Sequence, residues 1–276
     1  MAFPIDLHIH TTFSDGFYTP TEIVESAKGK GLQLISITDH DSISGLNEAF
    51  DAADGGTLKV IPGVEFNTEV GKESVHILGY GFDSSNNKLL EVLKMRRLDR
   101  VERGRKMVAR LHDIGVTAVT FDDVLEVSGG HSVGRPHIAK SLVLKGHSKN
   151  FGDAFNKYLA IGKPAYVARA PFLPEEAIST IHNAGGIAIL AHPGKIGDPN
   201  RIINYLFEVG LDGLEAYHTD HSQAVAEKMR DKAQAKNLLA TVGSDSHGPM
   251  IRNVEIGSVS APDNVRDALF ARFLGC

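Results

Sequence analysis

Ile5-Asp6-Leu7-His8-Ile9, then Pro20-Thr21-Glu22-Ile23-Val24-Glu25-Ser26-Ala27-Lys28-Gly29-Lys30, then Leu32-Gln33-Leu34-Ile35-Ser36-Ile37 form the stretch from which the fold is read. A short apolar run, a proline-started helical segment and a second apolar run predict strand, helix, strand. The order recurs. Further strands are predicted at 58–61, 75–78, 187–191, 211–216 and 238–242, and helices at 43–53, 174–184, 200–209 and 222–236. Such alternation predicts an α/β fold with a parallel sheet and crossover helices, and seven strands predict a closed or nearly closed barrel.

The alternation breaks once. Between residues 88 and 159 no strand is predicted, only a long charged helix at 89–112 and helical pieces at 121–127, 136–145 and 151–159. Residues 84–169 are therefore read as an all-helical insertion, with 1–83 and 170–276 forming the barrel. The insertion is expected to pack on the barrel as a cap; the plainer alternative is a stabilising decoration.

Charge narrows the partners. With 29 Lys+Arg against 34 Asp+Glu the formal net charge is −5, which argues against a coat for long duplex nucleic acid, because phosphate neutralisation needs a basic surplus. Any nucleic-acid substrate should be short. The single cysteine, Cys276, has no disulfide partner within the chain and rules out thiolate metal chemistry. No basic leader precedes an apolar stretch, and nowhere do 18 uncharged apolar residues follow one another, so the chain reads as cytoplasmic with no membrane partner. Oligomeric state stays open.

The histidines carry the chemistry. In Asp6-Leu7-His8-Ile9-His10 the period-2 geometry of a strand sends His8 and His10 to one face, where two imidazoles can share a metal. Alone, that pair is equally well a satisfied histidine pair. The second strand, however, ends in Thr38-Asp39-His40-Asp41, the third in Gly63-Val64-Glu65, and the fourth contains His76. The fifth ends in Ala191-His192-Pro193 and the seventh in Gly243-Ser244-Asp245-Ser246-His247, while Asp15 lies in the loop after the first strand. In parallel barrels the C-terminal strand ends build the active site. So many ionisable groups converging on one rim would be costly to bury without cations. Nine metal ligands are expected: His8, His10, Asp15, His40, Glu65, His76, His192, Asp245 and His247.

The D-L-H-I-H-T-T-F-S-D-G opening, T-D-H-D, G-V-E, the strand histidine, A-H-P and G-S-D-S-H together resemble the polymerase and histidinol phosphatase (PHP) superfamily. Within it, the insertion segments S-V-G-R-P-H-I-A (132–139) and Y-L-A-I-G-K-P-A-Y-V (158–167) resemble the branch of 3′,5′-nucleoside bisphosphate phosphatases and the 5′-3′ exoribonuclease RNase AM. The resemblance implies a distorted seven-stranded barrel with a trinuclear metal site. It assigns His8, His10, Glu65 and Asp245 to the first ion, with Glu65 bridging to a second held by His76 and His192. The third takes Asp15, His40 and His247. Some relatives carry a histidine in place of Asp15, which leaves the metal open: two to three divalent ions are expected, Mn²⁺ foremost, with Zn²⁺ or Fe²⁺ also suited to imidazoles.

Clustered divalent ions suit phosphoester hydrolysis, since they acidify a bridging water and clamp phosphoryl oxygens. The one G-x-S-x-G string, Gly130-His131-Ser132-Val133-Gly134, lies in the helical insertion with no predicted strand before it and so makes no nucleophile elbow, and there is no Walker loop or G-x-G-x-x-G after the first strand. The expected activity is hydrolysis of the 3′ phosphate of nucleoside 3′,5′-bisphosphates, with short 5′-phosphorylated RNAs shortened from the 5′ end. Asp15 and Glu65 are expected to be catalytic as well as ligating, and His218 to protonate the leaving oxygen. Arg135, His137 and Lys163 are expected to contact substrate; a helix-end salt bridge or a solvated loop lysine are the plain alternatives. The run Arg96, Arg97, Arg100, Arg103, Arg105 is read as a solvated helix face. Two rivals remain, a phosphatase for small phosphomonoesters such as histidinol phosphate and a non-catalytic PHP module.

Overall fold

The structure is a computed structural model that describes residues 4–71, 73–249, 251 and 253–275; Cys276 lies outside the described residues. The expected strand–helix–strand opening is there: β1 (Ile5–Ile9), α1 (Pro20–Gly29) and β2 (Leu34–Ile37). Helix α1 starts where local chemistry dictates. Thr19 accepts from the Glu22 N–H and the Glu22 carboxylate accepts from the Thr19 N–H, while Pro20 supplies a preset first turn. The barrel continues through α2 (Leu46–Ala53), β3 (Lys59–Val70) and β4 (Glu73–Tyr80). Next come α3 (Asn87–Asp113), α4 (Phe121–Val127), α5 (Arg135–Leu144) and α6 (Phe151–Ala154), the last running into a π-turn at Phe155–Leu159. The chain then returns as α7 (Pro174–Asn183), β5 (Ile187–Leu190), α8 (Pro199–Glu208), β6 (Gly213–His218), α9 (Gln223–Ala235), β7 (Leu239–Gly243) and α10 (Asp263–Leu274).

Strands pair in sequence order, and Ile9 bridges Ser246 in parallel, so the seven-stranded sheet is a nearly closed barrel. Two expectations need correction. The sheet is not wholly parallel, because β4 runs antiparallel to both β3 and β5. Only a tight turn, with Gly71 at φ 66°, separates β3 from β4, and no crossover helix fits in so few residues. The third strand also does not stop at Glu65; polar Asn67-Thr68-Glu69 extend it by pairing with β4, which leaves Glu65 and His76 mid-strand. Helix α10 was not expected from the sequence, and buries Val265 and Leu269.

Two apolar cores result. The larger fills and surrounds the barrel, from Ile5, Leu7 and Ile9 to Val242 and Leu269. The smaller, including Met107, Leu111, Val124, Ile138, Leu142 and Leu159, is drawn entirely from the inserted helices. Those helices dock on the rim by polar contacts: the Ser132 hydroxyl donates to the His40 carbonyl (3.2 Å) and Arg100 Nε to Asp41 Oδ2 (2.7 Å). No helix among the described residues is long and apolar enough to cross a membrane.

Candidate metal centre

The structure brings all nine expected ligands to one rim. His8 arrives on β1 with His10 directly after its end, Glu65 on β3 and His76 on β4. His40, His192, Asp245 and His247 follow the ends of β2, β5 and β7. Glycines make the approach possible. A side chain at Gly243 would overlap His8 and Glu215, and one at Gly16 would overlap the His10 carbonyl, so Gly16 lets the Thr12–Gly16 loop fold back and present Asp15. Three rim residues, Asp41, His192 and Asp245, hold φ of 51°, 30° and 55° without being glycine, a strain of about 1–3 kcal/mol each that the surroundings must sustain.

Glu65 is the hub. Its oxygens lie 3.5 Å from His8 Nε2, 3.3 Å from His10 Nε2, 2.8 Å from His40 Nδ1, 2.8 Å from His76 Nδ1 and 3.2 Å from His192 Nε2. Asp245 Oδ1 stands 3.5 Å from His8 Nε2 and 3.3 Å from His10 Nε2, completing the first group that the resemblance implies. Asp15, His40 and His247 gather with His10 as a second group. His40 sits between groups, with Nδ1 toward Glu65 and Nε2 4.0 Å from Asp15 Oδ2.

The donor set fits divalent cations. His8 Nε2, His10 Nε2, Asp15 Oδ1 and Glu65 Oε2 are buried and have no hydrogen-bond partner, although all face the same centre. Buried polar atoms are normally satisfied, and four orphans in one place have the pattern that cations would satisfy. Burial alone would push Glu65 up, yet the surrounding imidazoles of His40, His76 and His8 hold its carboxyl well below the usual range; Asp15 and Asp245 are depressed in the same way. Burial disfavours the charged form of His10, but the Asp245 and Glu65 carboxylates, each 3.3 Å from its Nε2, prevail and raise it to about 10. Burial lowers His76 to about 3.

A supporting residue went unread in the sequence. Glu215, fully buried on β6, accepts from His8 Nδ1 at 2.8 Å and from the His192 N–H at 2.7 Å. It thereby turns His8 Nε2 toward the centre, as carboxylates behind ligating histidines do. The only signal was an acid set between Leu214 and Ala216 within a predicted strand. His218, also buried, accepts the Asp220 N–H at Nδ1 (3.0 Å), which leaves its proton on Nε2, 3.4 Å from Asp245 Oδ2. Lys195 Nζ lies 3.7 Å from the same Asp245 oxygen.

The substrate candidates separate. Arg135 does not stand alone, and the arginine run of α3 is a solvated face only in part, with Arg97 and Arg105 exposed but Arg96 buried and Arg100 and Arg103 half-buried. Arg96 is buried over the Phe172 ring and paired with Asp99; Arg105 covers Phe121. Arg100, Arg103, Arg135 and Arg169 crowd together beside the rim. The sequence reading failed because the interleaved acids pair with only some of them, while α3 lays the rest against the barrel. Asp41 serves Arg100; Arg103, Arg135 and Arg169 have no carboxylate within 4.0 Å among the described residues. Burial, then the neighbouring guanidiniums, bring Arg103 to about 9 and Arg169 to about 10, and both stay cationic at neutral pH. Arg100 Nη2 is buried without a partner. His137 accepts from the Gly134 N–H (2.9 Å); burial lowers its pKa against the opposing pull of Asp15 and of a hydrogen bond to the Ser14 backbone, and that bond fastens the start of α5 to the Asp15 loop. Lys163 is exposed on the turn that returns the chain to the barrel, and its carbonyl accepts from the Tyr166 N–H (3.0 Å).

A family model described as the PHP domain matches residues 6–168, most of the first barrel half and the inserted helices. The chain is similar to a 3′,5′-nucleoside bisphosphate phosphatase of Chromobacterium violaceum, 37% identical over 250 residues that cover 89% of this chain and 87% of the relative. It is similar to a 5′-3′ exoribonuclease of Haemophilus influenzae, 35% identical over 248 residues, 88% of this chain and 90% of that one. Among solved structures it is similar to a Bifidobacterium adolescentis chain assigned as a metal-dependent phosphoesterase, with TM-score 0.88 and 31% identity over 100% of this chain and 99% of that one.

Proposed function

This chain belongs to the PHP domain family and is a phosphoesterase, and from that premise we propose that it removes the 3′ phosphate of nucleoside 3′,5′-bisphosphates and trims short 5′-phosphorylated RNAs from the 5′ end. One observation carries the substrate: four arginines with a single carboxylate among them stand beside the rim, and their excess charge asks for an anion that is not the one being cleaved. Guanidiniums suit a phosphate because they donate in pairs and stay charged. The substrate's 5′ phosphate is assigned to that cluster and its 3′ phosphate to the rim.

In this reading 84–169 is the substrate-binding unit, and 1–83 with 170–276 the metal-binding barrel. His8, His10, Glu65 and Asp245 would hold one ion, Glu65, His76 and His192 a second, and Asp15, His40 and His247 a third. Mn²⁺ suits the carboxylates, and Zn²⁺ or Fe²⁺ the imidazoles. Such ions supply an acidified water and neutralise phosphoryl oxygens. Water adds to the 3′ phosphorus, the P–O3′ bond breaks and the 3′ oxygen takes up a proton; His218 Nε2 holds a proton at that rim for it. The arginines fix the far end of the substrate, so that binding energy there orients the reacting phosphorus. His137 acts through the Asp15 loop as a positioning residue.

The test is a comparison of nucleoside 3′,5′-bisphosphate with nucleoside 3′-monophosphate on the metal-loaded protein. A preference in kcat/KM worth about 2–4 kcal/mol is expected, and Arg135→Ala should erode it. Equal rates on both substrates would return a small phosphomonoester such as histidinol phosphate to the front. No hydrolysis of any phosphoester would point to a non-catalytic module.

A further inference from the structure

A second cavity opens on the same rim, and the bisphosphate reaction makes no use of it. It measures about 360 Å³, within the range of small-molecule clefts, and lies between the loop after β1 and helices α4 to α6. Asp15, Thr12 and Phe17 form one wall, and Glu126, Lys140 and Phe151 the other. Asp15 Oδ1 is also 3.5 Å from His247 Nε2, so the cavity begins where the metal centre ends. None of the four clustered arginines lines it. Helix α5 divides the two regions: Arg135, at its start, leans over Phe155 and Tyr166, whereas Lys140, one and a half turns on, faces the cavity.

We propose that, when the substrate is a short 5′-phosphorylated RNA, this cavity seats the nucleoside on the far side of the scissile phosphate. The inference rests on the reading above and extends it. In an RNA the scissile phosphate stays attached to the next nucleotide after the P–O3′ bond breaks. That nucleotide must therefore occupy space next to the rim and away from the arginines. A free 3′ phosphate needs no such room.

The lining has the chemistry a nucleotide calls for. Phe17 is 44% exposed at the mouth and Phe151 is half-buried opposite, offering apolar faces on which a base can stack. Lys140 lines the cavity with no carboxylate within 4.0 Å among the described residues, and a phosphate following that nucleotide would supply its counter-charge. Glu126 offers an acceptor for a hydroxyl or a base amino group. Two aromatic faces and one unpaired cation at the edge of a phosphoesterase centre match one nucleoside and its trailing phosphate.

The metal-loaded full chain is assayed on a nucleoside 3′,5′-bisphosphate and on a 5′-phosphorylated trinucleotide, as the parent and as Phe17→Ala and Lys140→Ala. In each variant the ratio of trinucleotide to bisphosphate turnover should fall about tenfold; taking the ratio removes any general loss of folded protein. A trinucleotide with no base at its second position should slow the parent by a similar factor and leave Phe17→Ala nearly indifferent. Unchanged ratios in both variants, or a parent that discriminates against the missing base at the first position and not the second, overturn the proposal. So does a parent that hydrolyses bisphosphates and ignores trinucleotides, which leaves only the bisphosphate half of the preceding reading standing. Failure on both substrates removes the two together.

Discussion

The barrel rim and the arginine cluster of the inserted helices are both dense, buried collections of charge, and they are incomplete in opposite senses. At the rim, Asp15, Glu65 and Asp245 face six imidazoles, and four polar atoms aimed at the centre have no partner. In the insertion, four guanidiniums gather around one carboxylate, Asp41. The first arrangement lacks cations and the second lacks an anion. A phosphoesterase that distinguishes one phosphate from another needs both. The residue that joins them is Asp41, which follows His40 on the rim and takes Arg100 from α3. The consequences of breaking each region should therefore differ in kind.

The largest effect is expected at Glu65, the one carboxylate within reach of five histidines. Glu65→Gln should cost several kcal/mol of transition-state stabilisation, roughly a thousandfold or more in kcat/KM, on every phosphoester alike. Bound metal, measured by elemental analysis, should fall in parallel, and chelation of the parent should mimic the variant. A Glu65→Gln protein that keeps its metal and half its activity would remove the rim from the chemistry.

The insertion should fail selectively instead. Arg103→Ala or Arg169→Ala, both lacking a carboxylate to release, should cost about 2–4 kcal/mol on 5′-phosphorylated substrates and leave a small chromogenic phosphate ester nearly untouched. Metal content should stay constant. Loss on both substrate types would collapse the distinction between the regions. Lys163→Ala, on the solvated turn, should change neither rate by more than about twofold, in keeping with ordinary surface substitutions.

Asp41 tests how firmly the two are joined. Its carboxylate is buried and accepts from Arg100 Nε, the Asn67 N–H and Asn67 Nδ2, and Asn67 Nδ2 also lies 3.1 Å from His40 Nδ1. A double-mutant cycle of Asp41→Asn with Arg100→Met should give a coupling of roughly 0.5–3 kcal/mol in unfolding free energy. The cycle repeated on kcat/KM should couple too, since a slack strut displaces His40. Additive values in both measurements would mean that rim and insertion meet without communicating.

The rim was legible in the sequence because each ligand sits in a local frame that a strand pattern exposes: His8 and His10 two apart, His192 before a proline, Asp245 and His247 in one short run. The arginine cluster was not, because Arg100 and Arg103 are ordinary members of a charged helix until α3 is laid on the barrel and Arg169 is brought back from the other end of the insertion. Glu215 was missed for a related reason: it pairs with His8, 207 residues earlier, and no motif spans that distance. The antiparallel β4 was hidden by polar Asn67, Thr68 and Glu69, which look like the end of a strand and are instead half of a hairpin.

The smallest expected effect separates the regions by pH. In the metal-free protein His10 is raised to about 10, so its contribution to stability is complete below about pH 6.5 and is lost as pH climbs toward 10. His76, held at about 3, acts the other way, and its contribution is lost as pH falls from about 6.5 toward 3. Glu215, at about 2 because the His8 and His218 imidazoles outweigh its burial, adds a further loss below about pH 4.5. The chelated protein should therefore be most stable near pH 6.5, as read by its urea midpoint. Cations must displace the protons that His10 and His8 carry at neutral pH, so apparent metal affinity should rise above pH 6.5 by about tenfold per pH unit for each proton displaced. The arginines, at about 9 and about 10, keep their charge from pH 6.5 to 8, and the preference for a 5′ phosphate should stay flat across that interval while metal affinity climbs. A preference that moved in step with metal affinity would show that one region, not two, selects the substrate.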